Sequence, residues 1–309
     1  MSEATYATRL SPAPKRTSLV RVVETNAHEG PVYVPDEDAL YFTTVPRRRE
    51  GARPQVDVKV LALADGRVTT VREDANVANG MTLGRDGRLV VCEQGDLDRP
   101  ARIARLDPRS GEVDTLVDNW CDLRLNSPND VVVASDGAIW FTDPSYGHLQ
   151  GFRPEPLVPD RVYRYDPATE RLEVAADSLD KPNGLALSPD ESVLYVTDSG
   201  ANQEPDSFYA DRPHEIVAFD VVHGRRLAGR RVLAEISPGF PDGIKVDTDG
   251  YVYSSSFSGV QVFDPSGERL YEIELPGAVN FTFGGSGRDV LFITADTAIW
   301  AAALDAKGT

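Results

Sequence analysis

A chain of 309 residues is long enough to bury a substantial core, and a β barrel or propeller of this length forms one domain. Its 32 Lys and Arg against 49 Asp and Glu give a net charge of −17, which repels nucleic acid and anionic membranes and removes both from the expected partners. No stretch approaches the roughly 18 apolar residues of a membrane span, and Met1-Ser-Glu-Ala-Thr-Tyr lacks the basic and apolar runs of a secretory signal, so a cytoplasmic location is expected. Cys92 lies in a strand-like run and Cys121 in a loop; two cysteines without a nearby histidine motif suit free thiols in a reducing compartment.

In chain order, residues 1–17 read as a loose tail and 18–309 as a single domain. Leu19-Val-Arg-Val-Val is a strand with no unit of its own. Six units of one template follow, at intervals of about 40 to 60 residues, a period that indicates a propeller, a solenoid or an array. Each unit opens on an oxygen-bearing anchor, continues through a few β-formers and a polar turn, and returns through a second β run. The first runs from Glu29-Gly-Pro-Val-Tyr to Leu40-Tyr-Phe-Thr, and the second from Asn79-Gly-Met-Thr-Leu to Leu89-Val-Val-Cys. The third runs from Asn129-Asp-Val-Val-Val to Ile139-Trp-Phe-Thr, and the fourth from Asn183-Gly-Leu-Ala-Leu to Leu194-Tyr-Val-Thr. The fifth runs from Asp242-Gly-Ile-Lys-Val to Val252-Tyr-Ser-Ser, and the sixth from Asn280-Phe-Thr-Phe to Leu291-Phe-Ile-Thr.

Third strands are expected over 58–63, 102–106, 162–165, 216–219 and 260–263, and fourth strands over 68–71, 113–117, 172–176, 230–233 and 270–275. The sixth unit stops after its third strand, 299–303. Four antiparallel strands per unit, repeated about an axis, make an all-β six-bladed β-propeller. The strand at 19–23 then completes the last blade and closes the ring, protecting edges that an open solenoid would leave bare.

With the anchor at the start of each first strand, the loops from second to third strand return to the anchor face. Those at 45–56, 144–160 and 199–213 are long and carry Arg47, Arg48 and Arg49, then Tyr146, His148 and Phe152, then Phe208 and Tyr209. Turns on the other face, such as Asp86-Gly and Asp136-Gly, are short. Long loops on a rigid scaffold form the walls of a site, and Tyr146 is a candidate substrate contact there.

First strands line the channel of a propeller, so the six anchors should converge. Glu29 and Asp242 bring carboxylates; Asn79, Asn129, Asn183 and Asn280 bring amide carbonyls. Hard oxygen donors select Ca²⁺ or Mg²⁺, sometimes Mn²⁺, and two carboxylates balance a divalent charge. Calcium tolerates mixed ligands and irregular geometry and is the first choice. Asn-Gly and Asp-Gly are also common turn pairs, so each anchor alone has a bland explanation as turn chemistry, which Glu29 resists. Six anchors can hold four ligands while the others contact substrate or close loops.

The blocks Glu29-Gly-Pro, Leu125-Asn-Ser-Pro-Asn-Asp-Val-Val-Val, Trp140-Phe-Thr-Asp-Pro-Ser-Tyr-Gly, Lys181-Pro-Asn-Gly-Leu-Ala, Leu194-Tyr-Val-Thr-Asp and Phe240-Pro-Asp-Gly resemble the gluconolactonase, senescence marker protein (regucalcin) and luciferin-regenerating enzyme family, in its bacterial sugar-lactonase branch. The resemblance spans about Glu24 to Ala303. It implies a six-bladed propeller with one divalent cation in the channel, Ca²⁺ first and Mg²⁺, Mn²⁺ or Zn²⁺ as alternatives. It places metal ligation on Glu29, Asn129, Asn183 and Asp242. Where animal members carry a sugar-binding Arg, this chain has Ser127. The stretch Glu93-Gln-Gly-Asp-Leu-Asp-Arg-Pro-Ala-Arg is longer than the branch leads one to expect.

The expected reaction is metal-dependent hydrolysis of a sugar-derived lactone, such as an aldonolactone, to the hydroxy acid. Asp242 is the candidate catalytic residue, as general base or as nucleophile. Asn79, Asn129 and Asn280 are candidate substrate contacts. A phosphotriesterase of the diisopropylfluorophosphatase type and a non-catalytic calcium- or protein-binding propeller are the competing readings. No Gly-x-Ser-x-Gly elbow supplies a serine nucleophile. Asp247-Thr-Asp-Gly reads as a hairpin turn, Asp143 and Asp198 as loop caps, and His28 as packing or a neighbour of the ligand Glu29. Asp130 is expected to hydrogen-bond the channel loops, and His214 and His223 to be structural.

Overall fold

The computed structural model describes residues 16–47 and 53–309, so residues 1–15 of the expected tail at 1–17, and Arg48 and Arg49, lie outside the described residues. Six four-stranded antiparallel sheets surround a channel as the blades of a β-propeller. Blade 1 comprises Ala27–Val34, Ala39–Thr44, Val58–Ala62 and Arg67–Arg72. Blade 2 comprises Ala78–Leu83, Leu89–Glu93, Arg102–Leu106 and Val113–Val117. Blade 3 comprises Val131–Val133, Ile139–Asp143, Arg161–Asp166 and Arg171–Ala176. Blade 4 comprises Pro182–Leu187, Val193–Asp198, Glu215–Val222 and Arg226–Glu235. Blade 5 comprises Ile244–Val246, Val252–Ser256, Gly259–Phe263 and Arg269–Glu274.

Blade 6 takes Asn280–Gly284, Val290–Thr294 and Ala298–Leu304 from the end of the chain and Arg16–Glu24 from its beginning. Leu19 pairs with Ala302 and Arg21 with Trp300, so the N-terminal strand closes the ring as expected. This strand begins at Arg16, two residues before the expected domain edge.

Second strands such as Leu89–Glu93 and Ile139–Asp143 are buried along their whole length because neighbouring blades cover both faces. Outer strands such as Arg67–Arg72 meet water and read as mixed polar sequence. The core lies between blades. Val32, Tyr41, Val58, Met81, Leu89 and Leu106 pack blade 1 on blade 2, and Trp140, Leu185, Leu194 and Val217 pack blade 3 on blade 4. Burial of each such side chain contributes roughly 1.5–3 kcal/mol.

The fourth strand of blade 4 is longer than expected, because His223 (φ 55°) and Gly224 (φ 64°) make a tight turn that lets Val222 pair directly with Arg226. An extra hairpin, Asn119–Trp120 with Leu123–Arg124, joins blades 2 and 3; its turn is Cys121 and Asp122, both left-handed. Cys92 is buried and Cys121 exposed, and both are free. Among the described residues, no helix is long and apolar enough to cross a membrane.

Candidate active site

The six anchors line one mouth of the channel, and their placement rests on two local devices. The first is the β-bulge. In blades 1, 2 and 4 the pairing register shifts at Glu29, at Asn79 and at Asn183, so these residues lie on bulges within the inner strands rather than ahead of them. A bulge kinks the strand and re-aims a side chain, here towards the axis.

The second device is the glycine that follows four anchors. A Cβ on Gly30 would lie 2.5 Å from Asn79 O, and one on Gly80 2.5 Å from Asn129 O. A Cβ on Gly184 would overlap Asp242 O, and one on Gly243 would overlap the Asn280 side chain. Gly80, Gly184 and Gly243 are not left-handed, so close approach rather than turn conformation requires them. Each glycine makes room for the next blade's anchor. The Asn-Gly pairs are therefore not turns, as their chemistry alone had allowed, but the contacts by which the ring is drawn tight.

Below the anchors lies a set of hydroxyls that the sequence reading had not singled out. Thr43 donates to Asn79 O (3.1 Å), Thr142 to Asn183 O (2.6 Å) and Thr197 to Asp242 O (2.9 Å). Thr294 Oγ1 lies 2.7 Å from His28 O, and Ser255 Oγ accepts from Asp242 N at 3.1 Å. Each hydroxyl is the fourth residue of the second β run in its repeat, and that recurrence was the available signal. Blade 2 carries Cys92 at this position.

Electrostatics at the ring are those of acids without enough counter-charge. Glu29 is 3% exposed, and burial pushes its carboxyl upward despite His28 next to it, with Asp130 adding to the rise. Burial and the facing Glu29 carboxylate hold Asp242 well above the usual range, opposed by His28 and by a hydrogen bond from Asn183. Asp130 is raised by burial, with Lys245 opposing; its Oδ2 is buried without a hydrogen-bond partner among the described residues. His28 is bonded through Nδ1 to Asp296 at 2.6 Å; burial would lower its pKa, but Asp296 and the ring carboxylates raise it overall.

The remaining candidates lie close by. Asn280 Nδ2 donates to Glu29 Oε2 at 2.7 Å, and Asn79 Nδ2 to Asn129 O at 3.2 Å. Tyr146, on the short helix Tyr146–Leu149, is buried with its hydroxyl 3.5 Å from Ser199 O; burial and Asp242 keep the phenol protonated far above its usual pKa. Among the described residues no cluster of three or more His, Cys, Asp or Glu is formed. The donor set is instead two carboxylates among amide oxygens. Two buried acids with raised pKa values among neutral oxygen donors fit a hard divalent cation, which would return both to the carboxylate form.

The surrounding residues are explained by loop support. Asp143 Oδ2 accepts from Asn126 N and Oδ1 from Ser127 N, both at 2.9 Å, while Asp198 accepts from Asp180 N (2.9 Å) and Lys181 N (2.8 Å). Asp247 closes a turn through the N–H groups of Asp249 and Tyr251. Ser127 is fully buried, donating to Pro144 O at 2.6 Å and accepting from Gly147 N at 2.9 Å. Arg124 turns away to Glu155 O, and Arg47 pairs with Asp57. Arg153, not foreseen, is a buried guanidinium spent on the carbonyls of Asp96, Arg99, Leu125 and Asn126. Glu93, in the long blade-2 stretch, is buried between Arg72 (2.5 Å) and Arg102 (2.7 Å).

Comparison with known proteins agrees with this geometry. The profile of the SMP-30/Gluconolactonase/LRE-like region matches residues 27–297. The chain is 32% identical over 297 residues to lactonohydrolase oryL of Aspergillus oryzae, covering 87% of this chain and 66% of that protein, just under two thirds of its length. It is 32% identical over 278 residues to a gluconolactonase of Zymomonas mobilis, covering 86% of this chain and 75% of the relative. The solved structure of a gluconolactonase from Xanthomonas campestris aligns with a TM-score of 0.78 at 35% identity, covering 93% of this chain and 89% of the other. The channel, its anchor ring and this similarity along the propeller together establish that the chain belongs to the SMP-30/gluconolactonase/LRE-like family.

Proposed function

We propose that the protein hydrolyses a lactone, of the sugar-derived class named for its relatives, to the hydroxy acid, and that the reaction depends on one divalent cation, calcium first. The observation that carries this reading is the presence of two buried carboxyls, Glu29 and Asp242, in one ring of amides, with burial raising both and the Glu29 carboxylate raising Asp242 further. Glu29 and Asp242 would hold the charge, and Asn129 and Asn183 would supply neutral oxygens. A cation bound there supplies an electrophile for the lactone carbonyl oxygen.

The chain's own residues account for the rest. Asp242 is half-buried and opens into a cleft with Ser255, Ser256 and Asp296, so its carboxylate can meet water and substrate. It accepts the proton of the attacking water as the new C–O bond forms, then returns it to the ring oxygen as the lactone C–O bond breaks. Asn280 fixes the Glu29 carboxylate by its 2.7 Å hydrogen bond. Tyr146, held protonated beside Asp242, is a donor for a substrate oxygen. The names of the aligned relatives, lactonohydrolase and gluconolactonase, support the same reaction class.

The test is acid release from a panel of aldonolactones and simple lactones, before and after metal stripping, with add-back of Ca²⁺, Mg²⁺, Mn²⁺ or Zn²⁺. Turnover lost on stripping and restored by one ion is expected. Folded, metal-binding protein that hydrolyses no lactone would overturn the reading.

A further inference from the structure

We propose that the lactone taken by this site bears an apolar alkyl or aryl substituent, seated on an aromatic wall formed by Phe208, Phe240 and Phe257. This rests on lactone hydrolysis as the reaction and departs from the sugar-derived substrate class suggested by the relatives' names. Two clefts meet at the channel mouth. One, of about 360 Å³, contains Asp242, Ser255 and Asp296; the other, of about 380 Å³, contains Tyr146 and Phe208. Phe240 and Phe257 line both and form the ridge between them.

The three rings form one surface. Phe257 meets Phe240 edge-on at 5.1 Å between centroids and Phe208 at 5.9 Å, and His214 backs Phe208 at 6.0 Å. Phe257 is 48% exposed and Phe208 44%. Their position is built rather than incidental. Phe257 sits in the two-residue turn between blade-5 strands Val252–Ser256 and Gly259–Phe263, and its N–H is fixed to Pro238 O at 3.2 Å. Its ring lies directly on Gly239, where a Cβ would overlap the ring atoms, and Gly239 has φ +89°. A glycine in that conformation is what allows an aromatic side chain to lie flat there.

The polar side of the cleft points the same way. Among the described residues, no Lys or Arg lines either cleft. Ser127 is consumed by Pro144 O and Gly147 N and presents no group to a polyol. Arg124 bonds Glu155 O and lines neither cleft, and Arg153 is spent on backbone carbonyls. The reacting end of the cleft is acidic and polar; beyond it, the three rings face polar residues of the 202–207 loop and Gln150 across the second cleft and offer aromatic carbon to a neutral, apolar group.

The experiment compares kcat/KM of the metal-loaded, full-length protein for δ-nonalactone, unsubstituted δ-valerolactone and glucono-δ-lactone. Each methylene buried against the rings is expected to raise kcat/KM about fourfold, so the nonalactone-to-valerolactone ratio should exceed about tenfold. Phe257→Ser and Phe208→Ser, checked for an unchanged melting temperature, should each bring that ratio towards one. Phe208 lies on an exposed loop, so its variant keeps the test valid if Phe257→Ser fails to fold. A wild-type ratio near one, a preference for glucono-δ-lactone, or a ratio unmoved by a folded variant would overturn the inference and leave lactone hydrolysis standing. Turnover of none of the three would overturn the lactonase reading and this inference with it.

Discussion

Asn280 Nδ2 donates to Glu29 Oε2 at 2.7 Å across 251 residues of sequence, tying the last blade to the first at the channel mouth. The other end of the amide is also committed, since Asn280 Oδ1 accepts from Phe281 N at 2.7 Å. The NH₂ group is therefore locked towards the carboxylate. Asn280→Ala should destabilise the protein by about 1–3 kcal/mol, the cost of leaving a buried acceptor without its donor. Asn280→Asp should be worse without metal, because two acids would then share one buried contact, and Ca²⁺ should recover more stability in this variant than in wild type. Thermal melts with and without Ca²⁺ check both expectations.

Cation binding should be visible without substrate. A ligand at a hundredfold excess over its Kd stabilises by about 2.7 kcal/mol, and Asp242→Asn, which removes one of two ring charges, should abolish most of that shift. The pH dependence has a definite sign. Glu29 and Asp242 have raised pKa values without the ion, so protons compete with it at higher pH than for ordinary carboxylates, and affinity falls as pH falls. In the metal-free protein the same raised values favour folding at low pH and lose that contribution as pH rises through them. Calorimetric titration with Ca²⁺ at pH 5 and pH 8 should give much the weaker binding at pH 5.

The fold was legible because its signal was repeated six times. Anchor, β-formers, polar turn and second β run recur with enough regularity that even the missing strand of blade 6 pointed to Leu19-Val-Arg-Val-Val, which pairs there. The convergence of Glu29 with Asn280, and of Asp242 with Asn183, followed from the same repeat. What the glycines do was not legible. Asn-Gly has one sequence signature whether it makes a turn or lets two backbones touch, and only the neighbouring blade distinguishes the cases. Arg153 was hidden for a similar reason: its four carbonyl partners come from loops that no local pattern brings together. The aromatic wall draws Phe208, Phe240 and Phe257 from separate connections, so it exists only once the loops are placed.

The two kinds of glycine make a direct test. Gly184→Ala places a methyl group against Asp242 O and the Ile244 side chain, where neither inner strand can retreat without opening the ring. Overpacking of this kind costs about 1–3 kcal/mol, and displacement of Asp242 should also weaken Ca²⁺ binding. Gly111→Asn is the counterpart. Gly111 is left-handed (φ 74°) with nothing within 4 Å of a Cβ, and Asn tolerates that conformation. Urea unfolding should therefore show a large loss for Gly184→Ala and a change below about 1 kcal/mol for Gly111→Asn.

Asp143 offers a stability test away from the ring. Burial pushes its carboxyl up to about 7 from an ordinary 3.8, opposed by the Asn126 and Ser127 N–H groups and reinforced by Asp160. Between those two values the folded chain holds a proton that the unfolded chain has lost. Asp143 therefore contributes stability that is fully present below pH 3.8 and is lost as pH rises through about 7. Asp143→Asn removes that slope and also one of the two acceptors, because an amide NH₂ cannot receive the N–H it would face. Unfolding free energies of metal-free protein should fall from pH 5 to pH 8 by more in wild type than in Asp143→Asn. The ring acids contribute equally to both proteins, so the difference belongs to Asp143. Equal slopes would mean that the two N–H groups outweigh burial and hold Asp143 ionised throughout, as a permanent anionic cap on the loop beneath Asn129.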